Sequence, residues 1–432
     1  MQIAGETPAP QSVDRATLAV PAGAPASMIW YSRAGVPEIF YILAALQISL
    51  GIYGLWQGLR WLGMARRRLA SHPGFYAPRV ALICPCKGME RGLEQNLVAL
   101  AEFDYPSYEI FFALASRTDP AYEVLRRVAA KSKPKAQIVV AGRPEGCGEK
   151  VNNLRAAVEQ IPADFEVLVF ADSDGRPPHH WLRHLVAPLA DAKLGAATTF
   201  RWYLPDKGGF WSALAAAWNA PIATLLGEHR SNFCWGGGTA IRRQVFDQVQ
   251  ALEYWRGSVS DDYSLTRALR AAGRGIRFVP ECLVPAVHDN DFRGLLQFTN
   301  RQMIITRVYA PKLWAVAGLA HLLYCATLLC GVAVLLGAWA SGGTGLHILL
   351  LILAVALLAA ARGYLRLVAV SELLPAWKRK LLDYGWAWTL LAALVPFLYL
   401  FNFVVAAFAR RIVWRGVHYQ LVSAHQTRIL FG

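Results

Sequence analysis

The sequence predicts an α/β domain, built on a parallel sheet flanked by helices, with transmembrane helices on both sides of it. The chain of 432 residues is 55% hydrophobic, with a mean hydropathy of +0.31, and is too apolar for an ordinary soluble enzyme. Charged residues make up 17% of it, too many for a bundle of membrane helices alone. Between residues 78 and 310, short apolar strands alternate with helical segments, which is typical of a parallel sheet covered by helices.

The N-terminal part is predicted to hold a leader and one membrane helix. Residues 1–37 are predicted to be disordered, because they are rich in Ala, Pro, Ser and Thr and show no periodicity. Residues 38–62 are predicted to cross the membrane, since they are mainly apolar and precede the cluster Arg66-Arg67-Arg68. This positive flank places the domain 78–310 in the cytoplasm, and we expect an integral protein of a bacterial inner membrane.

Four strands and three helices are predicted in the first half of the domain. The strands are runs rich in β-branched and aromatic residues, and the helices carry apolar residues at helical spacing. The strands are Val80–Cys84, Tyr108–Leu114, Gln137–Ala141 and Glu166–Phe170, and the helices are Arg91–Phe103, Ala121–Ala130 and Asn152–Gln160. Ligands of such sheets bind beyond the carboxyl ends of the strands, so we expect the functional site there.

The region 311–409 is predicted to contain three apolar segments. They are Trp314–Ala340, Leu346–Ala361 and Gly385–Phe408. Three complete crossings would place Arg410-Arg411 outside, against the positive-inside tendency. Either the last segment is re-entrant, with Pro396 near its middle, or residues 362–383 contain another crossing; both remain open at this point.

One further apolar stretch, residues 210–226, is short for a membrane span. It contains two tryptophans together with polar and proline residues. An interfacial helix that rests the domain on the membrane and an internal core helix are equally compatible with it.

The net charge of +15 does not indicate a nucleic-acid partner. Basic residues stand at the edges of apolar segments, as membrane-surface charges do, and the sequence has neither zinc-finger spacing nor a basic helix suited to DNA. The seven cysteines are irregularly spaced and form no Cys-x-x-Cys pair. We therefore expect reduced thiols rather than a zinc site.

Two carboxylates follow the fourth predicted strand. Asp172 and Asp174 are separated by one residue, so in an extended chain they point to the same side and can converge on one cation. The alternative is a strand that ends in an acidic turn. The neighbouring motifs favour the cation site.

Three further groups of polar residues lie where a site is expected. Lys87 lies in the turn after the first strand, which can hold a nucleotide with the lysine near a phosphate. Lys150 and Asn153 open a helix after a glycine-rich loop, where backbone N–H groups and a cation favour a phosphate. Asp261 and Asp262 begin another helix, either as caps or with one carboxylate as a general base.

The order of these motifs resembles that of ceramide glucosyltransferase-like proteins, which are membrane members of the inverting family 2 glycosyltransferases. The resemblance covers residues 78–310 and the tail. In chain order the motifs are CPCKG at 84–88, DYPSYEI at 104–110, DPAYEV at 119–124, KVNNL at 150–154, DSD at 172–174, DDYSL at 261–265 and WRG at 414–416, followed by Tyr419.

The resemblance implies a GT-A (Rossmann-like) fold, a nucleotide-sugar donor, usually a UDP-sugar, a divalent metal and a lipid hydroxyl acceptor. It implies that Asp174 with Asp172 binds Mg²⁺ or Mn²⁺ on the donor diphosphate, as hard cations prefer oxygen ligands. Asp262 would deprotonate the acceptor, with Asp261 beside it in the substrate site. The residues that would line the donor site are Lys87, Lys150 and Asn153.

One position near the expected uracil site departs from the family pattern. The acidic residue that many members carry there falls at Ser116 in this chain. Asp119 either replaces it or caps the helix that follows Pro120, and we favour the cap.

The family motif (Gln/Arg)-x-x-Arg-Trp is also incomplete. Arg301 and Gln302 supply its first position and are expected to contact the substrate. Ile305 and Thr306 stand where the family has Arg-Trp, and Arg307 is expected to supply the missing cation.

Two expectations concern residues after the base motif. His288 is either an added metal ligand that reaches the diphosphate or an exposed loop residue. In the tail, residues 410–432, Trp414 and Arg415 either contact the substrate or anchor the chain at the membrane interface.

Together these features predict a membrane-bound inverting glycosyltransferase whose partners are a nucleotide-sugar donor, a lipid acceptor and membrane lipids, without nucleic acid. A processive polysaccharide synthase is one alternative, which the altered Arg-Trp motif and the few spans oppose. A non-catalytic membrane scaffold is another, favoured by Ser116 and the 305–306 replacements and opposed by Asp172, Asp174 and Asp262.

Overall fold

The computed structural model of the protein describes residues 35–71 and 74–431. Nearly all of the predicted leader, residues 1–37, lies outside the described residues. The described part consists of an α/β domain, a set of long apolar helices and a small C-terminal sheet.

A seven-stranded sheet with the order β3-β2-β1-β4-β7-β5-β8 forms the centre of the domain. The strands are β1 Val80–Pro85, β2 Tyr108–Leu114, β3 Ala136–Val140, β4 Val167–Ala171, β5 Leu194–Thr198, β6 Arg201–Leu204, β7 Gly238–Arg242, β8 Gly275–Phe278 and β9 Val284–Val287, where β6 and β9 pair separately. β1 to β4 are parallel neighbours, as predicted.

The sheet also contains β7, a strand that was not predicted and that runs antiparallel to both of its neighbours. Gly238, the first residue of β7, pairs with Ala171, the last residue of β4. The chain therefore enters β7 at the carboxyl edge of β4 and runs back. This reversal brings the loop before Gly238 next to the acids that follow β4.

The domain helices cover both faces of the sheet. They are α2 Leu93–Leu100, α3 Ala121–Lys131, α4 Glu149–Gln160, α5 Trp181–Val186, α6 Phe210–Ala223, α7 Arg243–Gln248, α8 Ala251–Trp255, α9 Asp261–Ala271 and α10 Phe292–Tyr309. Alternate residues of β1 belong to two separate apolar clusters, with Leu82 in one and Ile83 in the other. Burial on both faces explains why these strands are continuously apolar.

Three helices are long and apolar enough to cross a membrane, and a bent pair of helices could form a fourth span. The three helices are α1 Val36–Ala70, α11 Pro311–Ala340 and α12 Leu346–Leu373. The bent pair consists of residues 385–393, which include α14 Gly385–Thr389, and of α15 Val395–Phe408. The two parts meet at an angle of 65°. Residues 362–373 are the end of α12. The rest of the interval 362–383 contains a 3-10 helix, Pro375–Trp377, and the short α13, Lys378–Asp383, so it does not form a separate crossing. Pro396 lies in the first turn of α15, where proline is tolerated, directly after the bend.

Helix α6 lies between the domain and the membrane helices. Its central residue Trp218 is buried, stacks on Tyr399 of α15, and donates a hydrogen bond to Asn402. Only Phe210 and Trp211, at its start, are largely exposed. The helix is therefore internal over most of its length, and one end of it is open.

The predicted interfacial tail folds into a three-stranded antiparallel sheet that packs on the domain. Its strands are β10 Arg411–Trp414, β11 Val417–Ser423 and β12 Gln426–Phe431. Alternate residues of β11 (Val417, Tyr419, Leu421) are buried, the period expected for a strand with one face in the core. The Tyr419 hydroxyl accepts a hydrogen bond from the Glu149 amide at the start of α4.

Candidate active site

A cavity of about 650 Å³ opens where β1 and β4 end. Its walls come from the strand ends, from α4 and α10, and from the C-terminal sheet. The predicted site residues that line it are Lys87, Lys150, Asn153, Asp172, Asp174, His288, Arg301, Gln302, Trp414 and Arg415. Residues from widely separated motifs thus meet in one place, at the sheet edge where ligands of such folds bind.

Asp172 and Asp174 both face the cavity at the exit of β4, as their spacing predicts. Ser173, between them, is buried; its hydroxyl donates to Glu90, and its carbonyl accepts from the Asn96 side chain. These two bonds hold the turn, so the orientation of the two carboxylates is fixed by the core behind them.

Lys150, Asp172 and Asp261 form what we call the inner cluster. Lys150 Nζ lies 2.8 Å from Asp172 Oδ1 and 3.3 Å from Asp261 Oδ1. Burial opposes the charge on Lys150, but Asp172 and Asp261 outweigh it and hold its pKa above the ordinary value. Burial also opposes the charge on Asp172, but Lys150 and Arg201 hold the pKa of that carboxyl below its usual range. Asp172 and Lys150 are therefore both charged at neutral pH.

In Asp261, the effects that raise the pKa of the carboxyl outweigh the effect of Lys150. Burial raises its pKa to about 6, and the neighbouring Asp262 and Asp172 add to this, while Lys150 opposes it. One ammonium group shared between two buried carboxylates stabilises the closer one more strongly. Asp261 is thus the acid of the inner cluster that gives up its proton least readily.

The loop Trp235-Gly-Gly-Gly238 packs closely on the inner cluster, at Gly236 and Gly237. A Cβ atom on Gly236 would collide with the Asp261 carboxylate and lie 2.8 Å from Lys150 Nζ. A Cβ atom on Gly237 would collide with the Trp235 ring and lie 2.6 Å from Asp172 Oδ2. The glycines therefore allow the backbone to approach both acids.

Neither carboxylate of the Asp261-Asp262 pair is the cap of α9, which was one alternative for these residues. Ser260 is the N-cap, and its side chain accepts from the Tyr263 amide. Asp262 Oδ1 accepts from the Ser260 hydroxyl and from the Tyr263 amide at 2.8 Å. Asp261 and Asp262 are not among the residues that line the cavity; Lys150 lies between Asp261 and the open space.

Glu90, Asp174, Arg201 and Arg415 form what we call the outer cluster. Arg415 pairs with Glu90 and donates to the Lys87 carbonyl at 2.9 Å. Arg201 Nη1 lies 3.6 Å from Asp174 Oδ2, and its buried Nε has no hydrogen-bond partner within the described residues. Burial raises the pKa of Glu90 to about 7; Asp174 contributes, and Arg415 opposes.

Glu90 and Arg201 were not predicted from the sequence. Glu90 stands two residues after the Lys87-Gly88 turn, which was selected only for its lysine. Arg201 begins the otherwise apolar strand β6, and its side chain is only 15% exposed. A charged residue that opens an apolar strand usually has a partner, and this was the available signal.

Asn153 and Lys87, which were both predicted to line the site of the nucleotide-sugar donor, have different surroundings. Asn153 is buried in the first turns of α4, and its Oδ1 has no hydrogen-bond partner among residues 35–71 and 74–431. Lys87 forms an ion pair with Glu149. A buried acceptor without a partner costs free energy, so this amide is suited to a ligand donor group.

On α10, Arg301 and Gln302 line the cavity, whereas Arg307 does not. The Arg301 guanidinium lies 5.4 Å from the Trp414 ring centre, and burial lowers its pKa to about 10. Arg307 donates to the Ala406 carbonyl of α15 at 2.9 Å instead. In the structure, Arg307 therefore does not supply the cation that the incomplete family motif lacks.

Asp119 caps α3, as favoured above, and has a second role. Its Oδ1 accepts from the Ala121 amide at 2.8 Å and from the Gly88 amide at 2.8 Å. It therefore fixes the Lys87-Gly88 turn, and neither Asp119 nor Ser116 lines the cavity.

His288 is exposed in the loop after β9, as one alternative expected, and its ring faces the cavity beside Tyr203, with the ring centres 5.8 Å apart. Burial lowers the pKa of His288, with Asp174 opposing this effect. A neutral imidazole at pH 7 is the form that can bind a metal.

The oxygen ligands in the cavity fit a hard divalent cation whose coordination is completed by a bound substrate. Within the described part of the chain, no group of three or more His, Cys, Asp and Glu residues is placed to hold a metal. Asp172 and Asp174 supply carboxylate oxygens to one space. Mg²⁺ is commonly held by one or two carboxylates together with substrate phosphates, so two acids are sufficient.

These features define a membrane-associated α/β protein whose cavity is suited to a phosphorylated ligand. The chain belongs to Glycosyl transferase family 21, whose profile matches residues 39–427. It is 24% identical over 230 residues to Ceramide glucosyltransferase 1 of Caenorhabditis elegans, covering 52% of this chain and 48% of that protein. The match thus spans about half the length of this curated relative.

Two solved structures show weaker likeness. Glucosyl-3-phosphoglycerate synthase from Mycobacterium tuberculosis, solved with Mn²⁺, uridine diphosphate and glucosyl-3-phosphoglycerate, is 14% identical; the match covers 58% of this chain and 84% of that chain, with a TM-score of 0.36. GalNAc-T7, solved with UDP, GalNAc and Mn²⁺, is 12% identical; the match covers 54% and 49% of the two chains, with a TM-score of 0.35.

Proposed function

We propose that the protein is a membrane-bound inverting glycosyltransferase of GT-A fold that moves a sugar from a nucleotide sugar, a UDP-sugar, onto a lipid hydroxyl at the cytoplasmic face. The observation that carries the proposal is the meeting of Asp172 and Asp174 with Lys150, Arg201 and Arg415 in one cavity. A sugar diphosphate needs its departing charge neutralised, and the cavity offers cations together with a carboxylate pair for a metal.

The donor diphosphate would lie between the two clusters. Arg201, Arg415 and Lys150 surround Asp172 and Asp174, so phosphate oxygens placed there meet positive charge on several sides. Mg²⁺ or Mn²⁺ bound to the two acids would neutralise the leaving diphosphate. Phosphates at the start of α4 would also meet backbone N–H groups, which favour anions.

The acceptor would be activated by Asp262, which does not line the cavity itself but lies close enough to Lys150 of the cavity wall to stabilise its charge. Its carboxylate is held by Ser260 and the Tyr263 amide, which orients it without neutralising it. The acceptor O–H loses its proton to this carboxylate, a C1–O bond forms, and the bond from C1 to the diphosphate oxygen breaks. One displacement with one base inverts the anomeric carbon.

A lipid acceptor is supported by the position of the cavity beside the membrane helices. Helix α10 lines the cavity and leads, after Ala310, into α11. The cluster Arg66-Arg67-Arg68 at the end of α1 supports a cytoplasmic position of the domain. We propose that a lipid hydroxyl at the membrane surface enters the cavity along this helix.

The test uses full-length protein in detergent with a panel of nucleotide sugars and Mn²⁺ or Mg²⁺. A UDP-sugar should raise the thermal unfolding midpoint in the presence of metal, and sugar should appear on a lipid. Asp174→Asn should lose the metal-dependent part of donor binding. Asp262→Asn should still bind donor but transfer at least about 100-fold more slowly.

Asp247→Asn is the control, because this exposed carboxylate has Arg243 on α7 as its one salt-bridge partner among the described residues. It should bind and transfer like the wild type. Unchanged transfer in both Asp174→Asn and Asp262→Asn would exclude the proposal. A long polymer product would show that the acceptor is a growing polysaccharide and not a lipid.

A further inference from the structure

Two arginines lie inside the membrane span α12. Arg362 and Arg366 are four residues apart, so they share one face of the helix. Like charges at this spacing repel each other, and charged side chains inside a membrane span are rare and costly. A pair of them therefore needs a compensating charge.

The described residues provide no such charge. Neither guanidinium forms a salt bridge or a hydrogen bond within residues 35–71 and 74–431, and the buried Nε of Arg366 has no partner there. Their electrostatic neighbours are tyrosines, Tyr324 of α11 for Arg362 and Tyr399 of α15 for Arg366. The arginines of the outer cluster, by contrast, both face carboxylates.

The space around Arg362 is shaped for its side chain. A Cβ atom on Gly54 of α1 would lie 2.7 Å from Arg362 Cδ and 2.9 Å from its Nη1. The glycine thus lets the guanidinium lie between α1 and α12, where any larger residue would displace it.

The arginine pair lies on the domain side of the membrane. Glu372, near the end of α12, pairs with Arg66 of α1 at 2.7 Å, next to the cytoplasmic domain. At 1.5 Å per residue, Arg366 and Arg362 lie about 9 and 15 Å further along the helix. Arg366 is therefore within reach of the headgroup region through its long side chain, and Arg362, four residues deeper, lies nearer the middle of the span.

We propose that Arg362 and Arg366 bind the phosphate of a phospholipid from the domain-side leaflet, between α1, α11, α12 and α15. Two guanidinium groups offer forked donors that match phosphate oxygens, and one anion between them removes their mutual repulsion. Basic pockets between transmembrane helices bind phospholipid headgroups in this way. The leaflet supplies this phosphate at high local concentration, whereas a water-soluble anion would have to enter the helix bundle.

The test measures binding of dioleoyl phosphatidylglycerol to full-length protein in an uncharged detergent, as the lipid-dependent rise of the thermal unfolding midpoint. The double variant Arg362→Gln/Arg366→Gln should need at least about tenfold more lipid for half of the rise. The control Lys378→Gln/Arg379→Gln removes the same charge from exposed residues at the membrane surface and should respond like the wild type.

Two further ligands separate the parts of the proposal. Dioleoylglycerol has the same chains without phosphate and should give no comparable rise; an equal rise would overturn the phosphate assignment. Inorganic phosphate that acted as strongly through the same arginines would overturn the lipid assignment. An unchanged response of the arginine double variant overturns the site itself, and Arg366→Gln against Arg379→Gln gives the same test if the double variant does not fold.

Discussion

The inner and outer clusters of the cavity hold similar groups in different surroundings. In the inner cluster, Lys150 is shared between Asp172 and Asp261, and the side chains are 5–18% exposed. In the outer cluster, Asp174 and Glu90 each face one arginine, and all but the well-buried Arg201 are 25–32% exposed. The inner cluster is closed by the glycine loop, whereas the outer cluster is open to the cavity.

This difference indicates a division of roles. Charges held in a closed cluster are fixed in position, because removing one leaves the others unpaired at low dielectric. Groups that face open space can exchange an arginine partner for a metal ion or a phosphate. We therefore expect the inner cluster to contribute most to folding stability and the outer cluster to respond to ligands, while each cluster holds one acid with a raised pKa, Asp261 and Glu90.

The largest expected effect follows from removal of the shared cation. Lys150→Met leaves Asp172 and Asp261 buried without a partner, and we expect the free energy of unfolding to fall by about 3–5 kcal/mol. Thermal unfolding of the purified protein in detergent measures the change. Lys135→Met is the control, because Lys135 is 69% exposed and its partner Glu109 keeps Arg79, so the loss of this pair should cost at most about 1 kcal/mol. Equal losses of unfolding free energy in the two variants would show that the inner cluster contributes no more to stability than an exposed ion pair does.

The outer cluster should respond to pH through Glu90. Its pKa is raised from 4.5 to about 7, so the folded protein binds this proton more tightly than the unfolded chain does. The wild type should therefore lose stability as the pH rises from about 4.5 to about 7, by at most about 3 kcal/mol, with no further loss from this group above pH 7. Glu90→Gln lacks this dependence, so its stability relative to the wild type should increase over the same range.

Unfolding midpoints at pH 5 and pH 8 measure the effect. Glu159→Gln on α4 is the control, because its carboxylate is exposed, and its difference from the wild type should be equal at both pH values. A Glu90→Gln difference that stayed constant or shrank with rising pH would contradict the assignment of a tightly bound proton.

The sequence predicts the part of this arrangement that depends on local pattern. The ends of β1 to β4, the shared direction of Asp172 and Asp174, and the position of Lys150 at the start of α4 follow from strand and helix periodicity. Partners that come from distant segments do not follow from it, which is why Arg201 and Glu90 were not identified.

The choice between Arg301 and Arg307 shows a related limit. The two residues are six positions apart on α10, which is a rotation of about 240°, so they cannot both face the cavity. Periodicity excludes the pair but does not say which of them faces inward. The packing of Arg307 on α15 decides this, and that contact is not visible in the sequence.

The smallest expected effect concerns the closure of the inner cluster by the glycine loop. In Gly237→Ala the new methyl group would lie 2.6 Å from Asp172 Oδ2 and would collide with the Trp235 ring. The backbone conformation itself is permitted to alanine, so the cost is one of space, and we expect a loss of about 1–3 kcal/mol.

Gly74→Ala is the matched control for Gly237→Ala, because a Cβ atom on Gly74 would meet nothing within 4 Å. It should be neutral or slightly stabilising, since alanine has less freedom than glycine in the unfolded chain. If the loop closes only the inner cluster, Gly237→Ala should leave the pH response of Glu90 unchanged. A change in that response would mean that the two clusters are coupled and that the proposed division of roles between them is wrong.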